Sequence, residues 1–543
     1  MGLGVLQTGS PDAIVPGTVI LAQDASLSDQ DTSNFKHGTG RYRDILLNPQ
    51  PSDDPNDPLN WPYYKKLVVV AVVVLGASLC AGVNGPLLNA SLFVLSTEFG
   101  RPITDFTVLS GYQLLVAGAS GPFVSAAARK YGKRPTFIFS SFFCLLGTII
   151  GSVSTTYNTL LVGRIIQGLS IAAYESIVFT IVGDLFFVHE RGLFTSIMSF
   201  TLSCVSNLSS VVAGRITTDL GWHYLFHILN ACIGLQLILT FFFVPETCYI
   251  RDATMSAALQ VNGEGEKNIV STREDQSIEN RDSLPQASKK TFAQGLSVFN
   301  GTFTDESLLR LVVAPLISCF NIAALWTVVI TGAVSSFYVA AAFVIAQLFS
   351  PPPYLLTAAG VGYMSLGPFI GGTIGSVIVG LLMDPLTIWL SKRNGGVYEP
   401  EFRLPLVAIG AASGAGLFGF GYLSQAQGNI YAIDFMWGLT LFGVAFIFGP
   451  CSAYAIDAYR SISDEVFIVN IMFKNFLFYG YSYFINNWTA SSGPIPVFYT
   501  FGGISLGLVA STLLVYVFGK RYRAFWNRYN LMEKLGMEGR PGL

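Results

Sequence analysis

Between residues 67 and 518 the chain runs again and again into largely apolar stretches of about twenty residues, each long enough to cross about 30 Å of hydrocarbon as a helix. No water reaches a backbone in that environment, so its N–H and C=O groups must bond within the segment, as they do in a helix. Twelve such spans are read, at 67–90, 106–127, 135–153, 160–184, 194–217, 223–245, 322–348, 355–382, 404–424, 430–455, 464–487 and 495–518. The expected fold class is an all-α membrane protein. Composition agrees, with 12% charged residues against about 25% in a soluble domain. A formal net charge of -2 implies no nucleic-acid partner. The seven cysteines lie in or beside apolar stretches and read as small core residues rather than a disulfide framework.

Lys and Arg set the orientation. Lys65, Lys66, Arg129, Lys130, Lys133, Arg134, Arg191, Lys392, Arg393, Arg403, Arg460, Lys520, Arg521, Arg523 and Arg528 fall on one side, while the other side has only Arg101 and Arg215. Both termini are therefore expected in the cytosol, which requires an even number of spans. The chain divides into a disordered cytosolic arm (1–62), a six-helix bundle (63–246), a charged cytosolic linker (247–307), a second six-helix bundle (308–519) and a cytosolic tail (520–543). Residues 308–321, LLRLVVAPLISCFN, are too short to span and are taken as a lead-in to the seventh helix. A weak repeat relates the bundles: the fourth and tenth spans both end in an acid, Asp184 and Asp457. Many secondary carriers are built from two related bundles around a central site.

Charges inside the spans point to that site, because a charged side chain near the bilayer centre costs about 2.5–3.5 kcal/mol even on insertion scales. The fourth span carries Arg164 and Glu175, eleven residues apart, which is three turns plus about 20° and places both on one face, some 16 Å apart. At that separation they attract by only about 1 kcal/mol, so they are not a salt bridge. Glu175 reads either as a proton carrier and attractor of cationic substrate or as a neutral acid satisfied by a neighbouring hydroxyl. Lys474 in the eleventh span is the other deep charge, open to a carboxylate substrate, a counter-ion role or a structural one. Asn84, Gln113, Gln167, Trp326, Tyr338 and Tyr454 supply further polar or aromatic groups. Each, taken alone, reads more often as glue between helices than as a ligand contact. No G-x-x-x-x-G-K-[ST] sequence occurs, which disfavours ATP as the energy source. Asn89 and Asn487 head glycosylation sequons that abut spans, and no metal set is found.

Several motifs carry a resemblance: DPLNWP before the first span, RKYGKRP after the second, GRIIQG at Gly163 to Gly168, GWHYLFHI at Gly221 to Ile228, VPET at Val244 to Thr247, and NGGVYEPEFRLPL at Asn394 to Leu406. In order and spacing the chain resembles the major facilitator superfamily, and within it the fungal twelve-span drug:proton antiporters. The resemblance implies a carrier rather than an enzyme, working by alternating access and exporting small organic molecules across the plasma membrane with proton coupling. Uptake of a small nutrient, a cationic one included, and a non-transporting receptor remain the alternatives. It assigns Arg164 and Gln167 to an R-x-x-Q-G motif in which the Arg takes part in proton coupling. It makes Arg129, Gly132, Lys133 and Arg134, with Asp384 in the second half, a gating loop. Ser125 and Arg129 stand where that loop motif has Gly and Asp, and the fifth span lacks the Gly-Pro-rich antiporter motif. The implied partners are the lipid bilayer, a small-molecule substrate and protons, for a monomer without cofactor.

Overall fold

The computed structural model describes residues 4–6, 15, 17–20, 51–52, 54–187, 194, 197–198, 200–249, 291–394, 397–459 and 462–529. Most of the expected arm, the middle of the linker, the tail beyond 529, Arg191 and Arg460 lie outside them.

The chain forms helices α1 (Tyr63–Val83), α2 (Ile103–Tyr131), α3 (Lys133–Ser152), α4 (Tyr157–Leu185), α5 (Ser206–Asp219), α6 (His223–Phe243), α7 (Ile322–Phe349), α8 (Ala358–Arg393), α9 (Pro400–Gln425), α10 (Ile430–Ala458), α11 (Ser463–Ser492) and α12 (Pro494–Arg528). Nine are long and apolar enough to cross a membrane by themselves, among the described residues; α2, α5 and α11 are not. All three pack against the opposite half, α2 on α11 and α5 on α8, where polar side chains can meet protein instead of lipid.

Two bundles repeat one packing scheme. In the first, α3 lies on α4 and α6, and α2 lies on α4; in the second, α9 lies on α10 and α12, and α8 lies on α10. The repeat extends to charge. Lys133 at the start of α3 meets Asp184 at the end of α4 at 2.5 Å, and Arg403 near the start of α9 meets Asp457 at the end of α10 at 2.7 Å. The two helix-ending acids thus each hold a cation from the preceding helix. Helix Leu308–Ser318, capped by the Ser307 hydroxyl on the Arg310 amide, wedges against α2 and α11.

Three boundaries differ from expectation. Helix α8 continues to Arg393, so Asp384 sits within a helix rather than in a loop. Helix α12 continues to Arg528, because Arg523 is buried between Glu399 at 2.8 Å and Glu401 at 2.7 Å, with Lys520 on Glu399 at 2.6 Å. A buried cation with two carboxylates fixes the helix that bears it. Burial works against the charge on Glu399, but the hydrogen bonds from Lys520, Thr18 and Arg523 outweigh it and hold its carboxyl below the usual range. The described pieces of the N-terminal arm are docked: Val19–Ile20 pairs antiparallel with Val397–Tyr398, and Asp57 accepts from the Leu59 amide to cap the turn Pro58–Asn60.

Candidate functional site

The halves meet along two seams, α2 with α11 and α5 with α8, and α4 touches α11 beside the first. The first seam carries polar contacts at several points along its length. From one end to the other, Asn486 donates to Thr107 at 2.7 Å, the Tyr112 and Tyr483 hydroxyls meet at 2.6 Å, and Arg129 donates to Glu465 at 2.7 Å.

Midway along it the structure joins the two deep charges. The Lys474 ammonium donates to Glu175 Oε1 at 3.0 Å, and the Asn475 amide approaches Oε2 at 3.4 Å. Glu175 is 17% and Lys474 23% exposed, so the pair is largely shielded from water. The two residues come from different halves, on α4 and α11. Neither charge is then free to be read separately as a sign of substrate charge. A proton on Glu175, or a charged solute inserted between the partners, abolishes their attraction and leaves the other charge exposed to a poor solvent. That is the chemistry of a contact that can be made and broken between two bodies.

Arg164 shares a helix face with Glu175 but not its surroundings. It is fully buried within the first half, where one guanidinium nitrogen donates to the Asn84 carbonyl at 2.8 Å, Gln113 Oε1 at 3.1 Å and Gln167 Oε1 at 3.2 Å. Gln167 in turn donates to Thr148 at 2.9 Å, and Gln113 to the Asn84 carbonyl at 3.4 Å. Local winding explains the anchor. Helix α1 passes from α to a wider π turn at Ala77–Val83 and then turns at Gly85-Pro86, which frees the Asn84 carbonyl to accept from other helices. Asn84, Gln113, Gln167 and Arg164 thus form one cluster tying α1, α2, α3 and α4 together. No carboxylate pairs with Arg164 among the described residues.

The remaining candidates are scattered. Tyr338 on α7 donates across the halves to Asn207 on α5 and stacks on Trp437 at 5.6 Å. Trp326 donates to Ser511 on α12 at 2.9 Å with Tyr454 edge-on at 6.4 Å, so both lie inside the second half. Near them a small cavity of about 10 Å³, room for about one water, lies between α7, α10 and α11, lined by Thr327, Thr331, Ser452 and Asn470.

The gating residues are held by groups that sequence reasoning passed over. Glu246, the acid of VPET, accepts from the Lys133 amide at 3.0 Å and the Arg134 amide at 3.1 Å, capping the otherwise open N-terminus of α3. Gly132 has φ +101°, and a Cβ there would lie 2.1 Å from Glu246 Oε2, so glycine is required. Arg134 is buried and donates to the Phe241 carbonyl at 2.7 Å, the Leu296 carbonyl at 3.1 Å and the Val244 carbonyl. Arg129, standing where the motif has an acid, reaches Glu465 and Asp464 in the first turn of α11, where acids also suit the helix dipole. Asp384 is 77% exposed and only 3.7 Å from Arg403, whose main partner is Asp457. In the two sequons Asn89 and Asn487 precede hydroxyls that are buried, Ser91 and Thr489. Asp434, an acid inside α10, was also passed over.

Comparison with known proteins gives one family. A family model described as Major Facilitator Superfamily matches residues 72–476. An uncharacterized MFS-type transporter of Schizosaccharomyces pombe is 26% identical, covering 98% of both chains. The multidrug transporter TPO1_2 of Candida glabrata is 23% identical over 85% of this chain and 75% of its own. Among solved structures, the xylose transporter XylE of E. coli in a partially occluded inward-open conformation superposes with a TM-score of 0.58. It covers 82% of this chain and 97% of its own at 13% identity, a likeness of fold.

Proposed function

The chain belongs to the Major Facilitator Superfamily, whose members are transporters and not enzymes, and on that premise we propose that it exports small organic molecules by proton-coupled alternating access. The observation that carries the reading is the Glu175–Lys474 ion pair at 3.0 Å, which ties one half to the other at mid-depth. While Glu175 is ionised the pair holds α4 against α11. Protonation of Glu175 removes the attraction and leaves Lys474 to be solvated, so the halves separate there and the central path opens. A proton gradient then drives the cycle through one carboxylate. Export is supported by the multidrug name of a relative aligned over most of this chain. The basic end, with both described chain ends, faces the cytosol in this scheme, and the membrane is the plasma membrane.

The test is full-length protein in vesicles with an imposed pH gradient and a panel of small organic molecules. Wild type moves a panel member against the proton, and Glu175→Gln loses the gradient-driven part. Solute moving with the proton overturns export in favour of uptake, and no movement of any solute favours a receptor. Full gradient-driven transport by Glu175→Gln removes this residue from coupling.

A further inference from the structure

The carrier scheme leaves one membrane-embedded acid without a task. Asp434 lies in the first turns of α10, behind the Asn429 cap, at the end of the second half opposite its basic loops. Its Oδ2 accepts one hydrogen bond, from the Gly367 amide of α8 at 3.1 Å. Its Oδ1 is buried and has no hydrogen-bond partner among the described residues. Helix α8 lies directly on the carboxyl group: a Cβ on Gly367 would sit 2.3 Å from the Asp434 carbonyl oxygen and 2.5 Å from Oδ1. No longer donor from that helix fits between them.

Among the described residues the surroundings supply no counter-charge. Helix α10 contains no Lys, Arg or His, and its other acid, Asp457, is at the far end on Arg403. Helix α7 has no charged residue and presents the Tyr338 phenol, whose hydrogen goes to Asn207. The part of α9 that crosses α10 has only Tyr422, which is exposed, and the charges of α8 begin at Asp384, well beyond Gly367. Residues 350–357 and 426–429, which connect the helices at this end, contain no acid or base other than Tyr354, bonded to the Gly428 carbonyl at 2.5 Å. Two tyrosines at this end, Tyr363 on α8 and Tyr431 on α10, are exposed. Across the seam, the π turn Thr201–Val205 that precedes α5 offers the Cys204 thiol, 3.4 Å from the Thr373 hydroxyl, and α5 offers Arg215, which is held by Asp219 at 2.7 Å.

An ionised carboxylate with a buried, unpaired oxygen and no cation is strongly disfavoured, whereas a carboxylic acid in the same place is neutral and has only a weak demand for a partner. We propose that Asp434 is a proton-binding site in the second half, taking its proton from water and holding it while α8 covers the carboxyl, and returning it to water when the α8–α10 contact loosens. The ligand is the proton itself, and no other reactant is needed. This site is separate from Glu175 and does not require Glu175 to carry the coupling.

Infrared difference spectroscopy of the full-length protein in lipid vesicles, titrated with acid, reads the site directly through the carboxylic-acid C=O stretch. Wild type shows this band already at neutral pH, Glu175→Gln keeps it, Asp434→Asn loses it, and Asp434→Glu shifts it. A spectrum unchanged by Asp434→Asn overturns the proposal. Should the Asn variant not fold, an unshifted band in Asp434→Glu does the same. Transport by the same vesicles reports the proposed function independently: lost gradient-driven movement with the Asp434 band intact counts against that function and leaves the proton site standing.

Discussion

The two seams occupy equivalent places in the repeated bundles, α2 with α11 and α8 with α5, yet they are made of different material. Along α2–α11 the contacts are directional: Arg129 with Glu465, the Tyr112 and Tyr483 hydroxyls, Asn486 with Thr107, and beside them Glu175 with Lys474. Along α5–α8 the backbones themselves touch. A Cβ on Gly214 would fall 2.4 Å from the Ala358 carbonyl, and one on Gly362 would fall 2.6 Å from the Ser210 carbonyl, with the Thr218 hydroxyl bonded to the Ala359 amide at 3.0 Å. Small residues that let helices approach are the usual means of close packing in a bilayer, where lipid offers no hydrophobic drive to associate. Charge pairs can be opened by a proton, by water or by a solute, but the glycine contacts between α5 and α8 carry no charge for these to act on. The difference teaches that one seam is suited to be switched and the other to be a pivot.

The comparison breaks most sharply at the ion pair. Lys474→Met leaves Glu175 without its cation and lowers stability by about 3 kcal/mol in thermal unfolding, while adding Glu175→Gln recovers most of that loss. Equal destabilisation in single and double variants would show that the pair carries nothing. At the close-packed seam, Gly214→Val forces α5 from α8 and costs about 2 kcal/mol, with transport lost and no change in its dependence on salt. Arg129→Ala costs about 1 kcal/mol because the guanidinium is 30% exposed, and the exchange Arg129→Glu with Glu465→Arg restores it at low salt better than at high salt. The smallest effect is Tyr112→Phe, about 0.5 kcal/mol, read as slightly earlier unfolding with transport retained. If Tyr112→Phe instead matched Lys474→Met, the polar seam would act as one network and not as separable contacts.

Much of this was legible in the residues, and the reasons for the rest are physical. The spans, the one-sided Lys and Arg, and the acids ending the fourth and tenth helices follow from local pattern. So does the shared face of Arg164 and Glu175. Their different environments do not follow, because helical spacing fixes direction but not what lies across the gap. Arg164 faces the Asn84 carbonyl from 80 positions away, and Glu175 faces Lys474 from 299. Glu246 was present in a motif used only for resemblance, and its spacing carries no sign that it closes back on the Lys133 and Arg134 amides. Asp434 escaped notice because a single acid near a helix start reads as an ordinary interfacial residue until the helix lying on it is seen.

By itself, then, the sequence determined that the chain is a membrane-spanning bundle of helices with charges at mid-depth, since apolar length and backbone satisfaction leave no other option. Only the tertiary structure decided which charges meet, how the two seams differ and which acid, among the described residues, keeps a buried oxygen without a hydrogen bond. Those outcomes depend on contacts between segments hundreds of residues apart, whose energies are set by distance and burial rather than by any local pattern.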